Sequence, residues 1–349
     1  MRAPTDFSSP ESSGEVDRKA NKLSRMERFS FTQCACVLFD HAPALEVVER
    51  ALKDWTIVGE PNQGEGDDGW AVCGPGFVAE LRGGGFAVID VLDRAWPDDA
   101  ATAESVPAIG SAWHAGAFGP AATPRALARA MDQSWAWPEG AQTASGHGGV
   151  VRLRTGTASS EEAPVEGDAQ SDPLYELTSL TELARPLLRL PGALAFFVPA
   201  GEALRSRAQV EAALDRKVGF GPPPIELWSN LRSVALPGEG SVSWLLMDVV
   251  GMGQFGQPDP EALFAEGQEQ PDAVETLLRN VCLHLTSARL IPAGATADDG
   301  SGRRWRATAA SGVVAPSRPV LRWLPEQSVR PTEAELASAA AVTAGTGSG

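Results

Sequence analysis

The feature that most constrains this chain is an order of patterns that occurs twice. Residues 35 to 59, ACVLFDHAPALEVVERALKDWTIVG, read as an apolar strand, a short turn, a helix with apolar positions at helical spacing and a Val-Gly exit. Residues 193 to 220, ALAFFVPAGEALRSRAQVEAALDRKVGF, repeat that series. A hairpin follows in each half: FVAELRGGGFAVIDV turns at Gly83 to Gly85, and LRSVALPGEGSVSWLLMDVV turns at Pro237 to Gly240. A helix (TPRALARAMDQSWAW, then PDAVETLLRNVCLHLTSA) and a closing strand (GGVVRLRT, then RRWRATAA) complete each half. The order is β-α-β-β-α-β twice, with WAVC at 70 to 73 adding a strand to the first half. The expected fold is α+β, a tandem pair of ferredoxin-like antiparallel sheets with helices on one face; the alternative is a generic α+β chain whose halves match by chance, since β-α-β-β is a common order.

Segment boundaries follow from polarity. Residues 1 to 28 lack apolar periodicity, and residues 155 to 172 hold five acids, no base and no aromatic, as a solvated linker does. The expected lobes are 29 to 154 and 173 to 324, with a flexible Ala/Thr/Gly tail from 325 to 349. A hydrophobic content of 43% supports a real core in both. The 29 basic and 45 acidic residues leave a net charge of −16, which repels phosphate backbones and anionic membranes, so nucleic acid and lipid are not expected partners. No stretch approaches the roughly 20 apolar residues that span a bilayer, the first residues show no secretory pattern, and four cysteines make no disulfide framework. A reduced, cytoplasmic protein is expected.

One short motif argues for a cofactor and fails on its own mechanics. Gly251-Met252-Gly253-Gln254-Phe255-Gly256 is a G-x-G-x-x-G that follows an apolar strand. A dinucleotide site needs a helix to open at the glycines, with its amino terminus against the pyrophosphate. Here Gln257-Pro258-Asp259-Pro260 intervenes, and each proline pushes its predecessor toward extended geometry. A helix starting at Pro260, capped by Asp259, comes too late to hold the phosphate. Glu275, at the distance of a ribose-binding acid, falls within a helical pattern instead of at a strand end. No cofactor is expected.

Three stretches carry a family likeness. GPPPIELWSNLRS (221 to 233), DVVGMGQFGQPDPE (248 to 261) and DQSWAWPEGAQTASGHGGVVRL (132 to 153) resemble landmarks of a bacterial family described as domain of unknown function 4261. The resemblance spans about residues 30 to 325 and is specific at those three places. It departs near the end, where ATADDGSGRRWR only approximates the family's Asp-Gly-Asp-Thr-like turn. The likeness implies that residues 251 to 256, Gly253 and Phe255 among them, form a family loop and not a nucleotide cradle. It implies no activity.

The chemistry-bearing residues are sparse. His41, His114, His147 and His284 show no metal-ligand spacing, Cys282 and His284 point to different helix faces, and Cys34 and Cys36 share a strand face without a second pair to close a site. No metal is expected. Asp298-Asp299-Gly300 lacks the rest of a calcium loop and reads as a turn. Asp90 and Asp248 each lie between apolar residues at the end of a hairpin strand, at equivalent places in the two halves. They are the weak catalytic candidates: a carboxylate dyad with separated proton affinities would suit a hydrolase, whereas strand-end aspartates also simply accept hydrogen bonds from the next loop.

A final pattern points to binding. Read as one strand, IELWSNLRSVA places Ile225, Leu227, Ser229, Leu231 and Ser233 on one face and Glu226, Trp228, Asn230 and Arg232 on the other. The second set has the mixture enriched at protein interfaces, and Trp135 and Trp137 extend it. The same face would alternatively pack on the other half and bond internally. The expectation is a non-catalytic protein-interaction module of toxin-neutralising or accessory type, with a protein partner that basic charge would suit. The alternative is a small-ligand enzyme or hydrolase using Asp90 and Asp248 in a cleft between lobes.

Overall fold

The computed structural model describes residues 28–64, 68–98, 107–159, 172–217, 221–236, 243–287, 289–329, 331–332 and 334–336. The expected N-terminal segment, most of the acidic stretch, the 237–240 turn and most of the tail lie outside these residues.

The chain is α+β and is built on two sheets. The first has seven strands in the order β2-β3-β4-β5-β1-β6-β7, and every neighbouring pair is antiparallel. Its strands are β1 (Arg28–Phe39), β2 (Ile57–Gly59), β3 (Gly76–Glu80), β4 (Phe86–Leu92), β5 (Gly149–Ser159), β6 (Ala193–Val198) and β7 (Ala203–Arg205). The central strand β1 is apolar on both faces, as a strand covered on both sides must be. Ala35, Val37 and Phe39 enter one core, and Cys34, Cys36 and Leu38 enter the other. The first core is closed by α1 (Leu45–Ala51), α6 (Pro173–Leu187) and α7 (Arg207–Lys217). The second is closed by α2 (Asp68–Ala71), α3 (Pro107–His114), α4 (Ala126–Asp132) and α5 (Gly140–Ser145) around Trp70, Trp96, Trp113 and Phe118.

The second sheet has six strands in the order β11-β12-β13-β10-β9-β8. These are β8 (Asn230–Leu236), β9 (Trp244–Val250), β10 (Asp259–Ala265), β11 (Thr296–Asp298), β12 (Arg304–Ser311) and β13 (Pro319–Pro325). Only β10 and β13 run parallel among the described pairs. Helix α8 (Pro271–Thr286) lays Val274, Leu277, Leu278, Val281 and Leu285 against one face, opposite Trp305 and Trp323.

These sheets differ from the expected tandem pair. The first has helices on both faces, not one, and contains no parallel pair among the described strands, which a split β-α-β unit requires. Residues 193–217, read as the opening of the second lobe, instead extend the first sheet, because Cys36 pairs with Phe197 and Val37 with Phe196. The intervening α6, with no counterpart in the sequence reading, packs its Leu177, Leu180, Leu183 and Leu187 stripe on that sheet. Its start is well marked: Asp172 accepts from Leu174 N and Tyr175 N, with proline at the first turn. Two local readings also change. Residues 70–71 are helical, with Trp70 turned into the core, and 259–265 form a strand where a helix was expected. Burial along all seven residues of β10, between β9 and β13, overrides the helical preference of Glu, Ala and Leu.

Candidate functional site

Asp90 and Asp248 do not form a dyad. Each is sealed into its own sheet by arginines. Asp90 lies directly across from Arg152 in the β4–β5 ladder. Arg152 donates to it from Nε (3.1 Å) and Nη2 (2.7 Å), Arg154 approaches at 3.5 Å, and the Gly74 amide donates at 2.9 Å. Burial pushes the Asp90 carboxyl up, but the two guanidiniums outweigh it and hold it below the ordinary carboxylate range.

Asp248 occupies the corresponding place in the second sheet, opposite Arg232 in the β8–β9 ladder. Arg232 grips it from Nε (2.9 Å) and Nη2 (2.6 Å), and Arg318 donates as well. The network continues outward. Arg232 reaches Glu202 at 3.1 Å, Glu202 takes Arg129 at 2.6 Å, and Arg318 meets Asp259 at 2.5 Å. Beside it, Arg322 clamps Glu261 at 2.6 Å. Asp248 too is held below its ordinary range: burial raises it, and Arg232 and Arg318 prevail. Glu202, Asp259 and Glu261 are pushed up by burial against their arginines. This chain of charges ties α4 and the β6–β7 turn of the first sheet to β8, β9 and β10 of the second. The chemistry suits arginine, whose planar fork fits carboxylates bidentately; the chain has 25 arginines and four lysines.

The expected interaction face is interior. Residues 225–227 form a 3-10 turn, and β8 begins only at Asn230, so one alternation does not run through the segment. Trp228 is 0% exposed, belongs to the first sheet's core and donates its indole N–H to Thr181 Oγ1 at 2.8 Å. Asn230 and Arg232 are buried as well. Glu226 is half-buried and pairs with Arg216. The polar face packs against the first sheet and bonds internally, because it lies where the two sheets meet.

The glycine loop has a packing explanation. A Cβ on Gly251 (φ +129°) would lie 2.8 Å from the Trp228 carbonyl, and one on Gly253 would lie 2.8 Å from Ala121 Cβ. Gly256 (φ +68°) closes the 3-10 turn 252–255 in the left-handed region. Within the turn, Phe255 packs against the cores of both sheets, and Gln254 donates to the Trp228 carbonyl at 2.7 Å. Gln33 of β1 in turn donates to the Gln254 carbonyl at 3.0 Å. The loop is a joint between sheets. The Asp298-Asp299-Gly300 segment is likewise a turn: Asp299 accepts from Ser301, Arg303 and the Trp305 indole.

What remains at the surface is the loop after α4. Trp137 is partly buried against the first sheet's second core, whereas Trp135 is 58% exposed. The backbone beneath Trp135 is firmly held. The Gln133 carbonyl accepts from Asn230 (3.2 Å), and its side-chain oxygen accepts from the Ser233 amide (3.1 Å) and the Trp135 indole (2.8 Å). Gln209 of α7 donates to the Ala136 carbonyl at 2.6 Å. Asp132 and Glu139 flank the loop, both exposed. Of the residues expected to bind, then, Trp135 is presented to solvent and Trp137 and Glu226 partly so; Asn230 holds the Trp135 loop through the Gln133 carbonyl, while Trp228, Arg232, Gly253 and Phe255 belong to the junction between the sheets.

Comparison with protein-family models, with curated proteins and with solved structures found no match. Among the described residues no group of three or more metal-ligating side chains is placed to hold an ion, and no helix is long and apolar enough to cross a membrane.

The sequence reading missed Arg152, Arg154, Arg129 and Glu202. The first two had a visible signal: VVRLRT alternates arginine with apolar residues, so that both arginines enter the same face as Cys34 and Cys36. Arg129 and Glu202 had none, because their partnership depends on how α4 meets the β6–β7 turn.

Proposed function

We propose that this protein is a non-catalytic interaction module, of accessory or toxin-neutralising kind, that engages a basic protein partner through the Trp135 loop. The observation that carries this reading is an indole left 58% exposed on a backbone fixed by both sheets. Tryptophan is the residue most enriched among interface hot spots, and a loop already ordered in the free protein loses little conformational entropy on binding. Asp132 and Glu139 beside it, together with a net charge of −16, complement lysine- and arginine-rich surfaces and exclude acidic ones. Basic side chains can also lie over the indole face. A cytoplasmic setting and kinship with the family that the three motifs resemble are part of the same reading, supported by cysteine usage and by those motifs.

The test is capture of a stoichiometric partner by the tagged full-length chain, followed by titration of the purified pair. Trp135→Ala is expected to weaken binding by about 30-fold, a hot-spot loss of roughly 2 kcal/mol, and added salt to weaken it further. A purified partner that binds Trp135→Ala as tightly as the parent would overturn the proposal.

A further inference from the structure

The face of the second sheet that turns away from α8 is divided along its strands. The ladders set Arg232 opposite Asp248 and Glu261 opposite Arg322 at one end, and Leu236 opposite Trp244 and Leu263 opposite Leu246 at the other. Alternation puts both sets on the same side of the sheet. The charged end meets the first sheet through Glu202. The apolar end forms a cluster of its own, and among the described residues outside the sheet its apolar cover comes from Val313, Val314 and Leu336.

Leu336 arrives on a helical turn that the sheet helps to hold. Thr332 and Glu335 form a capping box: Glu335 Oε2 accepts from the Thr332 amide (2.7 Å) and hydroxyl (3.0 Å), and Thr332 Oγ1 accepts from the Glu335 amide (3.2 Å). The other carboxylate oxygen, Oε1, accepts from the Trp244 indole at 3.1 Å. The Leu336 amide then donates to the Thr332 carbonyl at 3.1 Å, and its side chain packs on the apolar cluster. One carboxylate therefore both opens the turn and fastens it to the sheet, and the next residue supplies the apolar anchor.

We propose that the apolar end of this face is a helix-docking surface whose ligand is the chain's own segment beginning at Thr332, bound in cis. An indole donor beside a leucine-binding cluster reads a Glu-Leu pair in the first turn of an amphipathic helix. The contact is small, one indole bond and one partly buried leucine, and a turn this short is not helical unaided. Such elements open locally without the rest of the fold. Residues 326–331 tether the segment to β13, with Ser328 donating to Glu269 at 2.6 Å. A short tether supplies an effective concentration on the order of millimolar, so the segment occupies its surface at weak intrinsic affinity and yields to a competitor with the same pair.

The experiment is a fluorescence-anisotropy titration of a labelled synthetic peptide, residues 328–345, with the full-length parent and its Leu336→Asp variant, alongside light scattering of both. Leu336→Asp frees the surface, so it should bind the peptide at least about tenfold more tightly than the parent, in which the tethered segment competes. A peptide carrying the same change should bind neither chain. Glu335→Ala, which keeps the leucine and cuts the indole bond, should fall between the two, and it decides the matter if Leu336→Asp does not fold. A folded variant that binds the peptide no better than the parent overturns the proposal. So does a parent dimer that Leu336→Asp dissociates, since the segment would then dock on a second copy.

Discussion

Replacing Asp248 by Asn tests whether the charge network between the sheets is a cooperative structural element. The substitution keeps shape and removes one negative charge from a site with no solvent access. In the parent, Glu202, Asp248 and Asp259 balance Arg129, Arg232 and Arg318, three charges of each sign. In Asp248→Asn two carboxylates face three guanidiniums, and Arg232 loses its bidentate partner. Removing one member of a buried pair costs about 3–5 kcal/mol, because the other charge is left uncompensated. Chemical denaturation followed by far-ultraviolet circular dichroism should register that loss as a lowered midpoint. Arg318→Met in the same background restores two charges of each sign, so the double variant should lose less than the sum of the singles, a coupling of roughly 1–3 kcal/mol. The exposed pair Arg185–Asp215 is the internal control: Asp215→Asn should cost below about 1 kcal/mol. Equal small losses at Asp248 and Asp215 would mean that water reaches the junction and would refute the account of it.

Further outcomes follow from single sites. Gly201→Ala should be the most damaging of the junction glycine variants, because its Cβ would fall 1.8 Å from the Trp228 carbonyl; Gly256→Ala, strained by φ +68° but facing open space, should cost only about 1 kcal/mol in the same denaturation assay. Trp228→Phe keeps the ring in the core but strips the Thr181 hydroxyl of its indole donor, a loss of about 1–3 kcal/mol by thermal or chemical unfolding. His147 should make stability fall with acid: its Nε2 accepts from the Trp96 amide (2.8 Å), and burial holds the imidazolium below its ordinary range against Ala144 and Asp98. Its contribution is thus complete above the unfolded value of about 6.5 and lost as pH falls through the lower folded value, a slope that His147→Gln should abolish in unfolding measured at successive pH values.

The sequence was legible where a local rule and the fold agree. The strands β1, β4, β5 and β9 and the helix α8 stand out as apolar runs or helical periodicity, and the Gly83–Gly85 turn uses positive φ at Gly84 and Gly85. It was illegible where pairing over long separations decides. Nothing local in ALAFFV tells whether it opens a new sheet or joins β1, since both would bury it fully. DPEALFA has the composition of a helix and becomes a strand because β13, some 60 residues later, supplies its parallel neighbour. The two aspartates stand out in the sequence as acids within apolar strands, but the residues that explain them are the arginines across the ladder.

That same pattern gives the junction its logic. An apolar interface between two sheets can slide, since hydrophobic contact is non-directional. Bidentate arginine–carboxylate pairs fix position and angle at once, because the planar fork tolerates little misalignment. Here Arg232 is held by Asp248 of its own sheet and by Glu202 of the other, so its orientation within one sheet sets the position of the second. The loop carrying Trp135 hangs from the same strand, through Asn230 and Ser233 on either side of Arg232. Loosening the charge network should therefore change the presentation of Trp135, which the network reaches through that strand. In Asp248→Asn, partner affinity should fall along with stability, whereas Asp90→Asn, in the other cluster, should destabilise the first sheet and leave the affinity of the folded fraction intact.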